Sequence, residues 1–140
     1  WDKPEETAEA FAGGWFHSGD LASVDAEGFI TVVDRKKDVI NSGGIVVSSR
    51  EVEEALFLHP AVREVAVVPV PDPKRVEVGI AVVVCEEGAS VDEATLIRHA
   101  RGVLAEFKVP KHIHFVDELP KNTAGKLLKR DLRDRYAARS

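Results

Sequence analysis

Three polar stretches carry residues able to do chemistry. In His17-Ser18-Gly19-Asp20-Leu21 a carboxylate follows a glycine at the start of an apolar segment, an arrangement able to accept two hydrogen bonds from a ribose diol. Gly-Asp is also ordinary turn chemistry. Residues 32–44, Val-Val-Asp-Arg-Lys-Lys-Asp-Val-Ile-Asn-Ser-Gly-Gly, place the charges Asp34, Arg35, Lys36, Lys37 and Asp38 ahead of two adjacent glycines. Such a glycine pair lets a backbone take φ > 0 or approach a ligand closely, and loops also use it with no ligand. In Leu119-Pro120-Lys121-Asn122-Thr123-Ala124-Gly125-Lys126 a turn ends at Gly125 and presents Lys126 as the last helix begins. An ammonium there is a compact, mobile charge suited to charge building on a phosphate or carboxylate, although a lysine after a turn is also an ordinary surface residue.

Other chemistries find less support. His112 and His114 alternate on a strand and share a face, but no nearby cysteine or third ligand completes a zinc set, and no metal site is expected. Asp25-Ala26-Glu27-Gly28 lacks the ligand spacing of a calcium loop, and no Gly-x-Ser-x-Gly elbow exists. The one cysteine, Cys85, sits in an apolar run and cannot make an internal disulfide, which fits a buried small residue in a reducing compartment.

The elements that must position these stretches follow from pattern. Leu21–Val24 and Phe29–Val33 are extended segments joined by Asp25-Ala26-Glu27-Gly28, which predicts a hairpin. Short strands are expected at Val39-Ile40 and Ile45–Val47. Ser48 with Glu51 reads as a capping box for a helix that puts Val52, Ala55 and Leu56 on one face and stops at Pro60. The β-branched runs Val65–Val70 and Val78–Cys85 flank Pro71-Asp72-Pro73 and read as two strands. Ser90 with Glu93 predicts a second capping box, and Leu96, Ile97, Ala100, Val103, Leu104 and Phe107 repeat at helical spacing. His112–Val116 predicts a strand, and Leu128, Leu132 and Tyr136 predict a closing helix. Helices interleaved with antiparallel strands, without a glycine fingerprint, favour a small α+β domain from about Lys36 onward.

The chain has 140 residues, of which 44% are hydrophobic and 31% charged, enough to bury a core. Its longest apolar run, Val78 to Cys85, is far short of the roughly 20 residues that cross a bilayer, and no basic-then-apolar leader opens it. A soluble, unexported, cytoplasmic protein is the expectation. A start at Trp1 and the lack of methionine point to a piece of a longer polypeptide. Lys121 to Ser140 holds seven Lys/Arg against two Asp/Glu, whereas the other 120 residues hold 12 against 22. That basic end is either a solvated helix face or a partner for nucleotide or coenzyme phosphates. Nucleic acid is disfavoured, because the few aromatics are not interleaved with the basic residues.

Order and spacing add more. Gly14-Trp15-Phe16-His17-Ser18-Gly19-Asp20-Leu21, Asp34-Arg35-Lys36-Lys37-Asp38-Val39-Ile40 with Ser42-Gly43-Gly44, Arg50-Glu51-Val52-Glu53, and Pro120-Lys121-Asn122-Thr123-Ala124-Gly125-Lys126 together resemble the C-terminal part of the adenylate-forming (AMP-binding) enzymes. Among them the acyl-CoA synthetases are the most similar. The resemblance runs from about Gly14 to Tyr136. It implies that residues 1–35 are the end of a large N-terminal AMP-binding domain, including the hairpin. Residues 36–140 would then be a small α+β lid with an antiparallel or mixed sheet flanked by helices.

It also implies an activity: a carboxylic acid, fatty or related, is activated by ATP with Mg2+ to an acyl-adenylate, and the thiol of coenzyme A then displaces AMP. The missing N-terminal domain would supply the phosphate loop, acyl pocket and metal ligands, so the 140 residues alone are expected to be inactive. By resemblance Lys126 is the adenylation lysine, Asp20 binds the ribose hydroxyls, Arg35 contacts the nucleotide near ribose and phosphate, and Val32 packs near the adenine. Lys37 falls at the hinge between two working poses. Ser42, Gly43 and Gly44 form the coenzyme-facing loop, and Lys74, Arg75 and Lys108 are candidate cations for the coenzyme A phosphates. The chain departs from many acyl-CoA synthetases at residues 45–49, Ile-Val-Val-Ser-Ser in place of Glu-Asn-Val-Tyr-Pro, and at 74–77, where Trp-Gly-Glu is common and Lys-Arg-Val-Glu stands here. Two alternatives stay open: an adenylation enzyme loading a carrier protein, and a noncatalytic interaction module.

Overall fold

The computed structural model describes residues 2–137; Trp1 and the end of the basic segment, residues 138–140, lie outside the described residues. The chain divides into two compact units at Lys37 and Asp38.

The first unit holds a short helix the sequence reading had not assigned, α1 (Pro4–Ala10), with Pro4 in its first turn beside Glu5 and Glu6. A proline there gives up no hydrogen bond and the carboxylates meet the positive helix end. The predicted hairpin forms from β1 (Asp20–Val24) and β2 (Ile30–Arg35), antiparallel with a register shift between Leu21 and Ala22. Its turn is built by Asp25, whose Oδ1 accepts the N–H groups of Glu27 and Phe29, both at 2.9 Å.

In the second unit β3 (Ile40–Ser42) and β4 (Ile45–Val47) lead into α2 (Ser49–Phe57), and β5 (Val62–Asp72) pairs with β6 (Val76–Cys85). Then come α3 (Glu93–Val103), β7 (His112–Phe115) and α4 (Lys129–Ala137). The sheet runs β4-β3-β6-β5, with β7 also on β6, so β5 is an edge strand. The β6–β7 pair is parallel, so the sheet is mixed, one of the two forms expected; α3 is the crossover that a parallel pair needs, and no glycine fingerprint is required for it.

Alternate residues of β5 and β6 feed two cores. Val67, Ala81 and Val83 pack with Val52 and Leu56 of α2 and Leu96 and Ala100 of α3. Ala66, Val68, Ile80, Val82 and Val84 pack with Leu132 and Tyr136 of α4. A sheet covered on both faces explains why its two long strands read as nearly unbroken apolar runs.

Two helix boundaries differ from expectation. The cap of α3 is Asp92, whose Oδ1 accepts Thr95 N–H at 2.8 Å, and not Ser90. The helix also stops at Val103, so Phe107 lies beyond it in a short 3₁₀ turn and is 38% exposed. Ser48 does cap α2, accepting Glu51 N–H at 3.4 Å.

Candidate functional site

Asp20 and Arg35 face each other across the hairpin of the first unit. The guanidinium Nε donates to Asp20 Oδ1 at 2.8 Å, and Lys36 N–H closes the ladder on Gly19 O, also at 2.8 Å. Arg35 is half exposed and leaves four further N–H donors for a ligand. Val32, opposite Ala22, is 56% exposed, an apolar surface on the same strand as Arg35. The structure thus brings together the predicted carboxylate and guanidinium.

Lys126 sits in a closed loop of the second unit. Asn122 Oδ1 accepts the N–H of Ala124 at 3.0 Å and of Lys126 at 2.8 Å, while Asn122 N–H donates to Lys126 O at 2.9 Å. Lys121 bridges Leu127 across the neck, and Leu128 N–H reaches Pro120 O at 2.8 Å. The helix begins only at Lys129, so Lys126 is held by the loop itself and not by the first turn expected for it. Among the described residues its ammonium has no ion pair, and the side chain is exposed.

The coenzyme candidates gather elsewhere. A cavity of about 440 Å³ is lined by Ser42, Lys74, Arg75 and Lys108, joined by Arg101 and Lys111 that the sequence reading did not single out, with Phe107 in its wall. Gly43 and Gly44 are not in that wall, but Gly43 N–H donates to Arg75 O at 2.6 Å and ties the two loops together. Both glycines have positive φ, +64° and +91°, and link β3 to β4 as a two-residue turn. The turn geometry accounts for both, and a side chain at either would be strained.

Three of the cavity's five cations are already paired. Lys108 meets Glu51, Lys111 meets Asp72 at 2.8 Å and Arg101 meets Glu106 at 3.3 Å. Lys74 and Arg75 have no ion pair among the described residues. Asp72 arranges them: its Oδ1 accepts the N–H groups of Lys74 at 2.8 Å and Arg75 at 2.9 Å. The Lys111 hydrogen bond, followed by these N–H bonds, lowers its carboxyl pKa from 3.8 to about 2.

The loop ends at Val76 with φ +70°, a left-handed conformation unusual for a β-branched residue. This is the departure from Trp-Gly-Glu seen in the sequence. A hairpin loop that closes through a left-handed residue suits glycine there, and valine fills the place under strain where glycine would not.

Lys37 lies in the turn that ends the first unit. The next residue, Asp38, is 8% exposed and bound to Arg133 of α4, so the start of the second unit is anchored to α4 of the same unit. The sequence reading missed this pair and the contacts among Glu53, Lys129 and Ser49, since both span about eighty residues or more of chain. The histidines pack: His112 lies 3.4 Å from Glu93, and His114 stacks on Tyr136 at 4.5 Å. Among the described residues no three His, Cys, Asp or Glu gather to hold a metal, and no helix is long and apolar enough to cross a membrane.

Comparison with known proteins adds identity to this geometry. The model of the AMP-binding enzyme C-terminal domain matches residues 51–126. A feruloyl-CoA synthase from an Amycolatopsis species is 48% identical over 136 residues, 97% of this chain and 28% of that enzyme. A long-chain-fatty-acid–CoA ligase from Bacillus subtilis (strain 168) is 48% identical over 132 residues, 94% of this chain and 24% of that enzyme. Among solved structures, ATP-bound MatB from Rhodopseudomonas palustris matches with a TM-score of 0.88 at 40% identity, over 98% of this chain and 27% of that one. The amide bond synthetase McbA from Marinactinospora thermotolerans matches with a TM-score of 0.82 at 39% identity, over 97% and 28%. The chain spans about a quarter of the length of these relatives. A family match over more than half the chain, with these identities along nearly all of it, establishes that the chain belongs to the AMP-binding enzyme C-terminal domain family.

Proposed function

We propose that the chain is the lid, with its preceding hairpin, of an AMP-forming acyl-CoA synthetase. The observation that carries this reading is the presence, in one small domain, of two separate sets of uncommitted cations. Lys126 is held rigidly on its own loop, and Lys74 and Arg75 stand at the cavity of about 440 Å³. The two half-reactions need these separately. Adenylation brings a carboxylate against the α-phosphate of ATP, two anions whose repulsion an ammonium from Lys126 offsets where charge builds. Thioester formation needs coenzyme A, whose phosphates suit Lys74 and Arg75, with Lys108 beside them and Phe107 available to its adenine.

In this reading Asp20 accepts from the ribose hydroxyls, Arg35 donates to the nucleotide and Val32 packs against the adenine. Lys37 is the pivot, and Ser42, Gly43 and Gly44 line the path of the coenzyme arm. Magnesium, which ATP brings to such a reaction, is held in this reading by residues of the large N-terminal domain. A cytoplasmic setting suits the single half-buried Cys85. The acid is a fatty or related carboxylate.

The test is a product assay on the full-length enzyme with a panel of acids, ATP and coenzyme A. An acyl-CoA thioester with AMP and pyrophosphate is expected, and no turnover is expected from the 140 residues alone. A second reading comes from the likeness to an amide bond synthetase, in which an amine takes the acyl group. Amide formation in place of thioester, with both acceptors supplied, would overturn the coenzyme A assignment.

A further inference from the structure

The lysine loop is a rigid ring, so where Lys126 points depends on how the ring is fixed to the lid. Its neck has a tether on each side. Lys121 Nζ reaches Glu64 of β5 at 2.6 Å. Lys129, the first residue of α4 and three residues past Lys126, reaches Glu53 Oε1 at 2.7 Å and donates to Ser49 Oγ at 2.8 Å, both on α2. The same Glu53 oxygen accepts the N–H of Val67 at 2.7 Å.

That last bond explains why this junction is so placed. The strand β5 is an edge, and an edge strand leaves outward N–H groups without a ladder partner. Glu53 takes one of them in the middle of the strand, between Ala66 and Val68, which are fully buried. Helix α2 packs in the core on one face of the sheet and α4 in the core on the other. The Glu53–Lys129 pair therefore wraps the edge of the sheet and joins the two layers beside the loop. Lys129 is 16% exposed and Glu53 19%, so water screens the pair little and removing one partner leaves the other's charge poorly solvated. Lys3 and Lys121 each meet a single carboxylate in more exposed pairs; Lys129 is shielded and bound to two side chains of a different helix.

We propose that Glu53 and Lys129 are positioning residues for Lys126 in the adenylation step, a role that rests on the function proposed above. They touch no substrate. They fix the direction in which a rigid loop presents its ammonium, and a displacement of about 1 Å at a reacting centre is enough to slow a reaction by up to a hundredfold.

The experiment uses the full-length enzyme carrying Lys129→Met, Lys129→Arg or Glu53→Gln, each alone and combined with Lys126→Ala. Adenylation is read as acid-dependent ATP–pyrophosphate exchange, and thioester formation as coenzyme A capture of supplied acyl-adenylate. For Lys129→Met and Glu53→Gln, adenylation kcat should fall on the order of tenfold with KM for ATP and acid unchanged. Thioester formation should change less than twofold. Lys129→Arg should recover most of the rate. In the Lys126→Ala background the same substitutions should cost nothing more, because their effect runs through that lysine.

Equal losses in both half-reactions, or a full additional loss in the Lys126→Ala background, would show a merely structural pair and overturn the proposal. Glu53→Gln keeps its volume and an acceptor for Val67 N–H, so it reads the same effect on a folded enzyme even where Lys129→Met lowers stability. Lys126→Ala alone separates this inference from the reading beneath it. Collapse of its adenylation beside an undisturbed Lys129→Met rate overturns the pair only, whereas undisturbed adenylation in Lys126→Ala overturns both.

Discussion

The loop after Asp72 and the loop after Asn122 are built alike. In each, one side-chain Oδ1 collects two backbone N–H groups, those of Lys74 and Arg75 in the first and those of Ala124 and Lys126 in the second. Each loop then turns through a left-handed residue, Val76 at φ +70° and Gly125 at φ +76°. Each presents a cation with no ion pair among the described residues. They differ in the charge of the organising residue. Asp72 is a carboxylate and is balanced by Lys111, while Asn122 is neutral and needs no counter-ion. A carboxylate beside Lys126 would bind its ammonium and offset its field, so the amide leaves the charge available to an anionic ligand. Next to Lys74 and Arg75 a carboxylate is tolerable because Lys111 takes it up.

Breaking this contrast should have graded consequences. The largest belongs to Lys126→Ala in the full-length enzyme, where loss of one charge-stabilising donor should lower adenylation by about a hundredfold or more in pyrophosphate exchange. Next comes Asn122→Asp, which keeps the acceptor geometry and adds a charge. It should lower adenylation on the order of tenfold while the melting temperature hardly moves. Exchanging the two cavity cations that have no ion pair among the described residues, Lys74→Glu with Arg75→Glu, should raise KM for coenzyme A several-fold in steady-state assays with adenylation intact.

Two smaller effects concern stability. Asp72 titrates at about 2 in the fold against an ordinary 3.8, so its ionised form stabilises the fold fully above about pH 4 and ceases to as pH falls through 2. Melting temperatures of wild type and Asp72→Asn should therefore differ at neutral pH and converge toward pH 2. Val76→Gly, which relieves the left-handed strain, should stabilise by about 1 kcal/mol in chemical denaturation.

How much of this could be read in the sequence depended on the range of the interaction. The Asp20 to Arg35 hairpin, the Ser48 cap and the strands at Val65 and Val78 rest on neighbours within a few residues or on simple periodicity, and they formed where expected. The cap of α3 went to Asp92 because Ser90 and Asp92 both precede the helix and pattern alone does not rank them. Phe107 kept helical spacing, but the helix had already ended at Val103. In the candidate site, ordered motifs pointed to Asp20, Arg35 and Lys126, whereas Lys74, Arg75 and Lys108 stood out in the sequence only as available surface cations. The cavity that collects the last three with Arg101 and Lys111 exists only once β3, β6, α3 and the 3₁₀ turn after it are brought together. Pairs such as Glu53–Lys129 and Asp38–Arg133 have no local signature and appear only in three dimensions.

The central claim is that one lid carries two cation sites, each serving one half-reaction. The most direct test compares Lys126→Ala with Lys74→Ala/Arg75→Ala in the full-length enzyme, measuring pyrophosphate exchange and coenzyme A capture of supplied acyl-adenylate for both. A crossover is predicted, with Lys126→Ala losing adenylation and keeping thioester formation, and the double variant doing the reverse. Loss of the same half-reaction in both variants would contradict the account.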